Sequence, residues 1–252
     1  MIEFMDKTRD VNLKVVIYGK PGTGKTTIAS TFPKPLILLD IKENGWVGVK
    51  DVKGLDPVRV KDWESFQEVY WYLQENKDGY KTVVIDTVSA IQELVLDYIA
   101  KKRKVKLREG VKYGDFGTLT KKDWGEIASL LKPFITQFRD LDMNVVFVAH
   151  EKVFNVEEDD QAEGIDPSVG PKLMQSVAST MNAAVDIIGQ SFIREKKIND
   201  KNHMQYCLRV GPHPYYITKI RKPKESEVES VLVDPTYQDL LELVKGENYE
   251  QN

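Results

Sequence analysis

The chain has 252 residues, 41% of them hydrophobic and 30% charged, which is too apolar for disorder and long enough for one generous α/β domain that needs no disulfide or metal to hold its core. Lys and Arg number 36 against 39 Asp and Glu, a net charge of −3, so any nucleic-acid contact must come from a local basic patch. The single cysteine, Cys207, excludes an internal disulfide framework, and no apolar run resembles a signal peptide or approaches the ~18 residues of a membrane span.

Residues 13–18 form a short β-branched run that reads as a strand, with a glycine-rich turn after it. A helix is predicted over 26–32, stopped by Pro33 and Pro35. Residues 36–40 (LILLD) read as a second buried strand and 57–60 as a short third one. Asp62 can cap a helix through about Asn76, with Trp63, Phe66, Val69, Tyr70 and Leu73 on its inner face. A strand at 82–86 (TVVID) and a helix at 88–101 follow, then a polar stretch over 102–121. Asp123 caps a helix through about Leu141, and 145–150 (VVFVAH) is another buried strand.

The remainder reads differently. Residues 151–181 look polar and irregular, and strands near 184–191, 205–210 and 215–220 are expected to pair as antiparallel neighbours. Residues 222–234 read as charged and loose, and 235–245 as a final helix with a frayed end. The predicted fold class is therefore α/β, a mostly parallel central sheet flanked by helices with an antiparallel C-terminal extension. Residues 1–222 are the expected domain, and 223–252 a charged linker, helix and tail. The histidines His150, His203 and His213 have no zinc-site spacing. A soluble protein of a reducing compartment, the cytoplasm, is expected, with no membrane partner.

The strongest motif is Gly19-Lys20-Pro21-Gly22-Thr23-Gly24-Lys25-Thr26, followed by Thr27, which matches G-x-x-x-x-G-K-[ST] between a strand and a helix. Its glycines let backbone N–H groups turn inward around phosphate oxygens, and the helix N-terminus favours an anion. Lys25 can reach the β- and γ-phosphates of ATP, and the Thr26 hydroxyl can ligate Mg²⁺. Asp86, ending the apolar run Val83-Val84-Ile85, supplies the second Mg²⁺ partner. Asp86 is followed by Thr87, not by the water-activating Glu usual in ATPases of the AAA+ and ABC types. The guanine-reading pattern Thr120-Lys121-Lys122-Asp123 precedes a helix instead of following a strand, and no D-x-x-G accompanies it.

The chain resembles the RecA/KaiC-like P-loop ATPases over residues 11–223, and most closely the phage-encoded RecA-like ATPases of the single-strand-annealing and recombinase group. GKPGTGKT, LILLDIKENG, TVVIDTVSA, VVFVAHEK and YYITKIRKP carry the resemblance, in that order. It implies a RecA-like fold and an ATP-driven protein that assembles on single-stranded DNA. The catalytic Glu of that group lies just beyond the second strand, where Glu43 stands, with Glu151 as the competing candidate. His150 matches the position that senses the γ-phosphate, which would make 151–181 a switch ordered by ATP. Lys219 and Arg221, one face of a strand by period-2 alternation, match a K-x-R pair that reaches a neighbouring subunit's γ-phosphate. A shared site of that kind implies a homo-oligomer, ring or filament, and a single-stranded-DNA-binding protein is a further expected partner.

Lys101, Lys102, Arg103, Lys104, Lys106 and Arg108 form a basic stretch, with Tyr113, Phe116 and Trp124 after it. Such cations can track phosphates while aromatic faces stack on bases. The expected activity is Mg²⁺-dependent ATP hydrolysis stimulated by single-stranded DNA, in phage recombination or annealing. The alternatives are a hexameric helicase-like motor or loader, and an ATP-locked module that anneals strands without turnover.

Overall fold

The computed structural model describes residues 11–102, 121–154, 168–198, 201–223 and 229–246. Five parallel strands form the centre: β1 (Lys14–Gly19), β2 (Leu36–Asp40), β3 (Leu55–Arg59), β4 (Thr82–Asp86) and β5 (Asn144–Phe154). In β1, Val16 and Tyr18 pack on one face of the sheet and Val15 and Ile17 on the other. All four are fully buried. This is why these runs are continuously apolar instead of alternating: both faces are covered.

One face carries α2 (Trp63–Glu75), α3 (Val88–Lys102), α4 (Lys121–Arg139) and α5 (Gln175–Ala184). The other carries the short α1 (Lys25–Ala29) and α6 (Tyr237–Lys245), through Ile28, Phe32, Leu240 and Leu241. Asp62 caps α2 as its sequence predicts, accepting from Ser65 N while Ser65 Oγ accepts from Asp62 N. Between α2 and α4, Phe66 stacks on Phe138 at 5.3 Å and meets Phe134 edge-on at 4.7 Å.

Five further strands complete the sheet of the described residues: β6 (Ser168–Pro171), β7 (Ile187–Ile198), β8 (Lys201–Arg209), β9 (Lys219–Ile220) and β10 (Val231–Val233). The order is β10-β8-β7-β1-β5-β4-β2-β3, with β6 on β5 and β9 on β7. The first half of β7 is parallel to β1, from Val15↔Ile187 to Gly19↔Ser191. From Gln190 onward it pairs with β8 as an antiparallel hairpin. The α/β class with an antiparallel C-terminal extension is thus the observed one. No helix among the described residues is long and apolar enough to cross a membrane.

Several local expectations differ from the structure. Within the stretch read as irregular, β5 continues to Phe154, β6 forms, and α5 follows; 155–167 lie outside the described residues. The strand expected over 215–220 is reduced to β9 and an isolated bridge, Val169↔Tyr216. The segment read as loose contains β10, which pairs Val233 with Cys207. Residues 231–245 are therefore built into the domain instead of trailing from it. Leu240 is fully buried, and truncating such a leucine to Ala typically costs about 2–5 kcal/mol.

Candidate nucleotide site

The register of the parallel strands gathers polar groups at one edge. Gly19 pairs with His150 on one side and Ser191 on the other, and Asp40 pairs with Asp86. Ligands of open α/β sheets bind at this edge, beyond the carboxyl ends of the strands.

The phosphate loop leaves β1 here. Gly22 and Gly24 have φ of 79° and 83°, left-handed values that a side chain would strain. Gly19 is glycine for another reason: a Cβ there would lie 2.4 Å from the carbonyl and hydroxyl oxygens of Ser191. Thr23 Oγ1 donates to Lys20 O at 2.8 Å and lies 2.6 Å from Ser191 Oγ, so the loop is pinned to β7. Lys20, Pro21 and Thr27 are exposed.

Lys25 is only 7% exposed, and its ammonium donates to the carbonyls of Gly19 (3.2 Å) and Lys20 (2.7 Å). Burial lowers its pKa, opposed by the charges of Asp86, Glu43 and Glu151. A cation bonded to loop carbonyls can exchange them for phosphate oxygens, a better match for its charge.

Thr26 Oγ1 donates to Asp86 Oδ2 at 2.7 Å. Asp86 is 3% exposed; burial raises its pKa, the Thr26 bond and Lys25 act against this, and Glu43 and Asp40 add to it. Gly45 faces the same oxygen: a Cβ there would sit 2.7 Å from Asp86 Oδ2. A hydroxyl and a carboxylate side by side, with an acidic excess and a wall free of side chain, are hard oxygen donors that suit Mg²⁺. Thr26 and Asp86 are the residues that would hold it.

Glu43 follows β2 in a tight turn, with left-handed backbone at Lys42 (φ 64°) and Asn44 (φ 53°) on either side. Lys42 anchors the turn to α3 through Glu93 (3.4 Å) and Asp97 (3.7 Å). Glu43 Oε1 lies 2.8 Å from His150 Nε2, so the two residues picked out 107 positions apart are direct partners. The His150 N–H in turn donates to Ser89 Oγ at 3.2 Å. Glu151, the competing carboxylate, pairs with Pro171 in the β5–β6 ladder and acts on Lys25 through its charge.

The other predicted site residues lie elsewhere. Lys219 Nζ donates to the carbonyl of Asn182 (2.6 Å) and lies 3.3 Å from that of Ala183; Arg221 donates to Ala183 O (2.7 Å) and Asp186 Oδ1 (3.1 Å). Both therefore close the C-terminal end of α5, at the edge of the sheet away from the phosphate loop. Lys101 is exposed on the last turn of α3, and Lys102 ends that helix. Arg103, Lys104, Lys106 and Arg108 lie outside the described residues, as do Tyr113 and Phe116.

Sequence reasoning missed the β7–β8 side. Gln190, 4% exposed, accepts from Arg209 at 2.8 Å, and Arg209 stacks between Phe192 (4.7 Å) and Tyr216 (4.4 Å). A cavity of about 440 Å³ adjoins the loop, lined by Gly24, Thr26, Thr27, Thr31, Tyr206 and Asp234 among others. No local motif marks these residues, because only the pairing of β7 with β1 brings them to the loop.

Among solved structures, the chain is similar to the flagellar accessory protein FlaH from Methanocaldococcus jannaschii, at 11% identity and a TM-score of 0.36, over 89% of this chain and 90% of that one. No curated protein matches it. The AAA domain family AAA_24 matches over residues 11–222, which takes in every strand of the parallel centre and the whole phosphate site. By that match the chain belongs to the AAA domain family and is a P-loop ATPase domain.

Proposed function

We propose that the protein is a Mg²⁺-dependent ATPase that binds single-stranded DNA and assists recombination or annealing of phage type. The observation that carries the ATPase reading is the convergence of Lys25, Thr26, Asp86 and the Glu43–His150 pair at one edge of the sheet. The loop N–H groups and Lys25 bind and orient the triphosphate, and Thr26 and Asp86 hold the metal. Mg²⁺, when bound, neutralises charge on the β- and γ-phosphate oxygens. Glu43 accepts a proton from, or orients, the attacking water. His150, the expected γ-phosphate sensor, is the direct partner of Glu43 at 2.8 Å, which couples the sensing side chain to the carboxylate that handles water.

The DNA part is supported by the basic stretch 101–108 and by the resemblance in the phosphate, Glu43 and His150 segments. A second reading, a homo-oligomer in which Lys219 and Arg221 serve a neighbour's site, requires their bonds to Asn182, Ala183 and Asp186 to open. The deciding experiment is ATP hydrolysis by the purified protein with and without single-stranded DNA. Mg²⁺-dependent turnover that rises with DNA is expected. Replacing Lys101, Lys102, Arg103 and Lys104 by Ala should lower the log–log salt slope of DNA binding by about 0.7 for each lost phosphate contact. Turnover indifferent to DNA, together with no strand binding at low salt, would remove the DNA half of the reading and leave the ATPase.

A further inference from the structure

The cavity beside the phosphate loop is larger than a triphosphate cradle needs. It starts at Gly22, Gly24, Lys25 and Thr26 and runs along α1 past Thr27, Ile28 and Thr31 to a wall made by Tyr206 of β8 and by Asp234, Pro235 and Thr236. In a P-loop the backbone cradles the α- and β-phosphates, so the nucleoside must occupy space that adjoins the loop. This cavity is such a space. We infer that it seats the base of the bound nucleotide, with the Tyr206 ring stacking on the base; the inference rests on the nucleotide-binding reading above.

Three observations support Tyr206. Its ring lies against the loop backbone, since a Cβ at Gly24 would be 3.2 Å from Tyr206 Cδ1. It is 43% exposed, a large ring with one side left open to the cavity. The rest of that wall is held in place. Asp234 N donates to Tyr206 O at 2.7 Å, Tyr237 N donates to Thr31 Oγ1 at 2.8 Å, and Pro235 is buried. Asp234 itself has left-handed backbone (φ 47°), which turns the chain from β10 into α6 at the cavity rim. The result is an aromatic face beside a carboxylate and a hydroxyl, the mostly apolar lining with a few polar groups of a small-ligand site. Its volume, about 440 Å³, lies within the usual range of such sites. Stacking tolerates any base but rewards the larger face, so the site takes a purine nucleoside triphosphate in preference to a pyrimidine one.

The test compares binding of ATP, CTP and inorganic tripolyphosphate, each with Mg²⁺, to the wild-type protein, Tyr206→Ala and Tyr206→Phe by calorimetry. Removing the ring should weaken ATP about tenfold, the usual scale of base–aromatic stacking, and leave tripolyphosphate within about twofold. Tyr206→Phe should retain ATP, because the face and not the hydroxyl does the work, and wild type should prefer ATP to CTP. Equal losses for ATP and tripolyphosphate in Tyr206→Ala would make Tyr206 a prop for the loop and overturn the base seat. Unchanged ATP binding by Tyr206→Ala would overturn it as well. Wild-type protein that binds neither ATP nor tripolyphosphate would overturn the nucleotide-binding reading itself, and the base seat with it.

Discussion

At the carboxyl edge of the parallel strands, Lys25 is buried and donates to two loop carbonyls, among the carboxylates of Asp40, Asp86 and Glu43. At the opposite edge, Lys14 is bonded to the carbonyls of Leu141 and Met143. Lys219 and Arg221 close the end of α5 there, and Asp186 takes both the Lys14 N–H (2.9 Å) and Arg221 (3.1 Å). Burial lowers the pKa of Lys14, to about 8, as it lowers that of Lys25. A depressed lysine is therefore not what separates the edges. What separates them is the cavity beside Lys25 and the pairing of the charges. At the lower edge a carboxylate meets its cation and a backbone donor, so the groups tie chain to chain. At the upper edge carboxylates crowd one another, and the loop carbonyls that hold Lys25 can be exchanged for a ligand.

The largest effects should come from breaking the upper edge. Lys25→Ala and Asp86→Asn are each expected to reduce ATP hydrolysis by at least about 10²–10³-fold, the cost of losing one preorganised charge partner. Asp86→Asn should also raise the melting temperature of the nucleotide-free protein in EDTA. Burial raises the Asp86 pKa, so its charged form is disfavoured in the folded state. The resulting penalty is present above the raised pKa and disappears as pH falls toward the ordinary carboxylate range. The gain from Asn should therefore be seen at pH 7 and fade in acid. A melting temperature lower at pH 7 than that of wild type would contradict this account of Asp86.

Glu43→Gln should come next, slowing turnover about 10²-fold while leaving binding of ATP with Mg²⁺ intact, because the phosphate cradle is untouched. Single-turnover and binding measurements separate the two. Near-normal turnover would move the role to Glu151.

At the lower edge, the Lys219→Ala/Arg221→Ala protein should lose stability more than chemistry. Charge-assisted bonds to helix-end carbonyls, discounted for solvent exposure, suggest about 1–2 kcal/mol by urea denaturation. Turnover well below its melting temperature should stay close to wild type. If turnover instead collapses, and mixing with Glu43→Gln restores part of it, the two cations belong to a neighbour's site and the comparison of edges fails.

The smallest effect concerns Lys14. Its folded pKa, about 8, lies below the 10.5 of an ordinary lysine, so between these values the unfolded chain binds more protons. Wild-type stability should thus gain a rising component from about pH 8 to 10.5 that Lys14→Met lacks. Denaturation midpoints of the two proteins across that window give the difference directly. Parallel curves would mean that Lys14 is better solvated than its bonds imply.

Local signals suffice where a residue's partners are its neighbours in sequence. Asp62 and Ser65 sit three positions apart and cap their own helix, so the α2 start needs no distant partner. The β-branched runs of β1, β2, β4 and β5 announce burial on both faces. By contrast, α5 lies in a stretch whose polar and small residues carry little periodic signal; its Val177 and Met181 become a buried face only because the sheet side of α4 is there to receive them. β10 is three residues long and exists through its pairing with β8.

The order of amino acids alone determined the phosphate loop, its Lys25 and Thr26, and the strand-ending Asp86. Each depends on backbone geometry within a few residues, and glycine, lysine and a terminal carboxylate are specific enough there to name the chemistry. It also marked Glu43 and His150, though not that they touch. Only the tertiary structure decided that contact, the use of Lys219 and Arg221 on a helix end, and the Tyr206–Asp234 wall of the cavity. Those depend on strand register between segments far apart in the chain, such as Gly19↔Ser191. A one-residue slip in such a register would turn every side chain to the other face, and no local pattern encodes it.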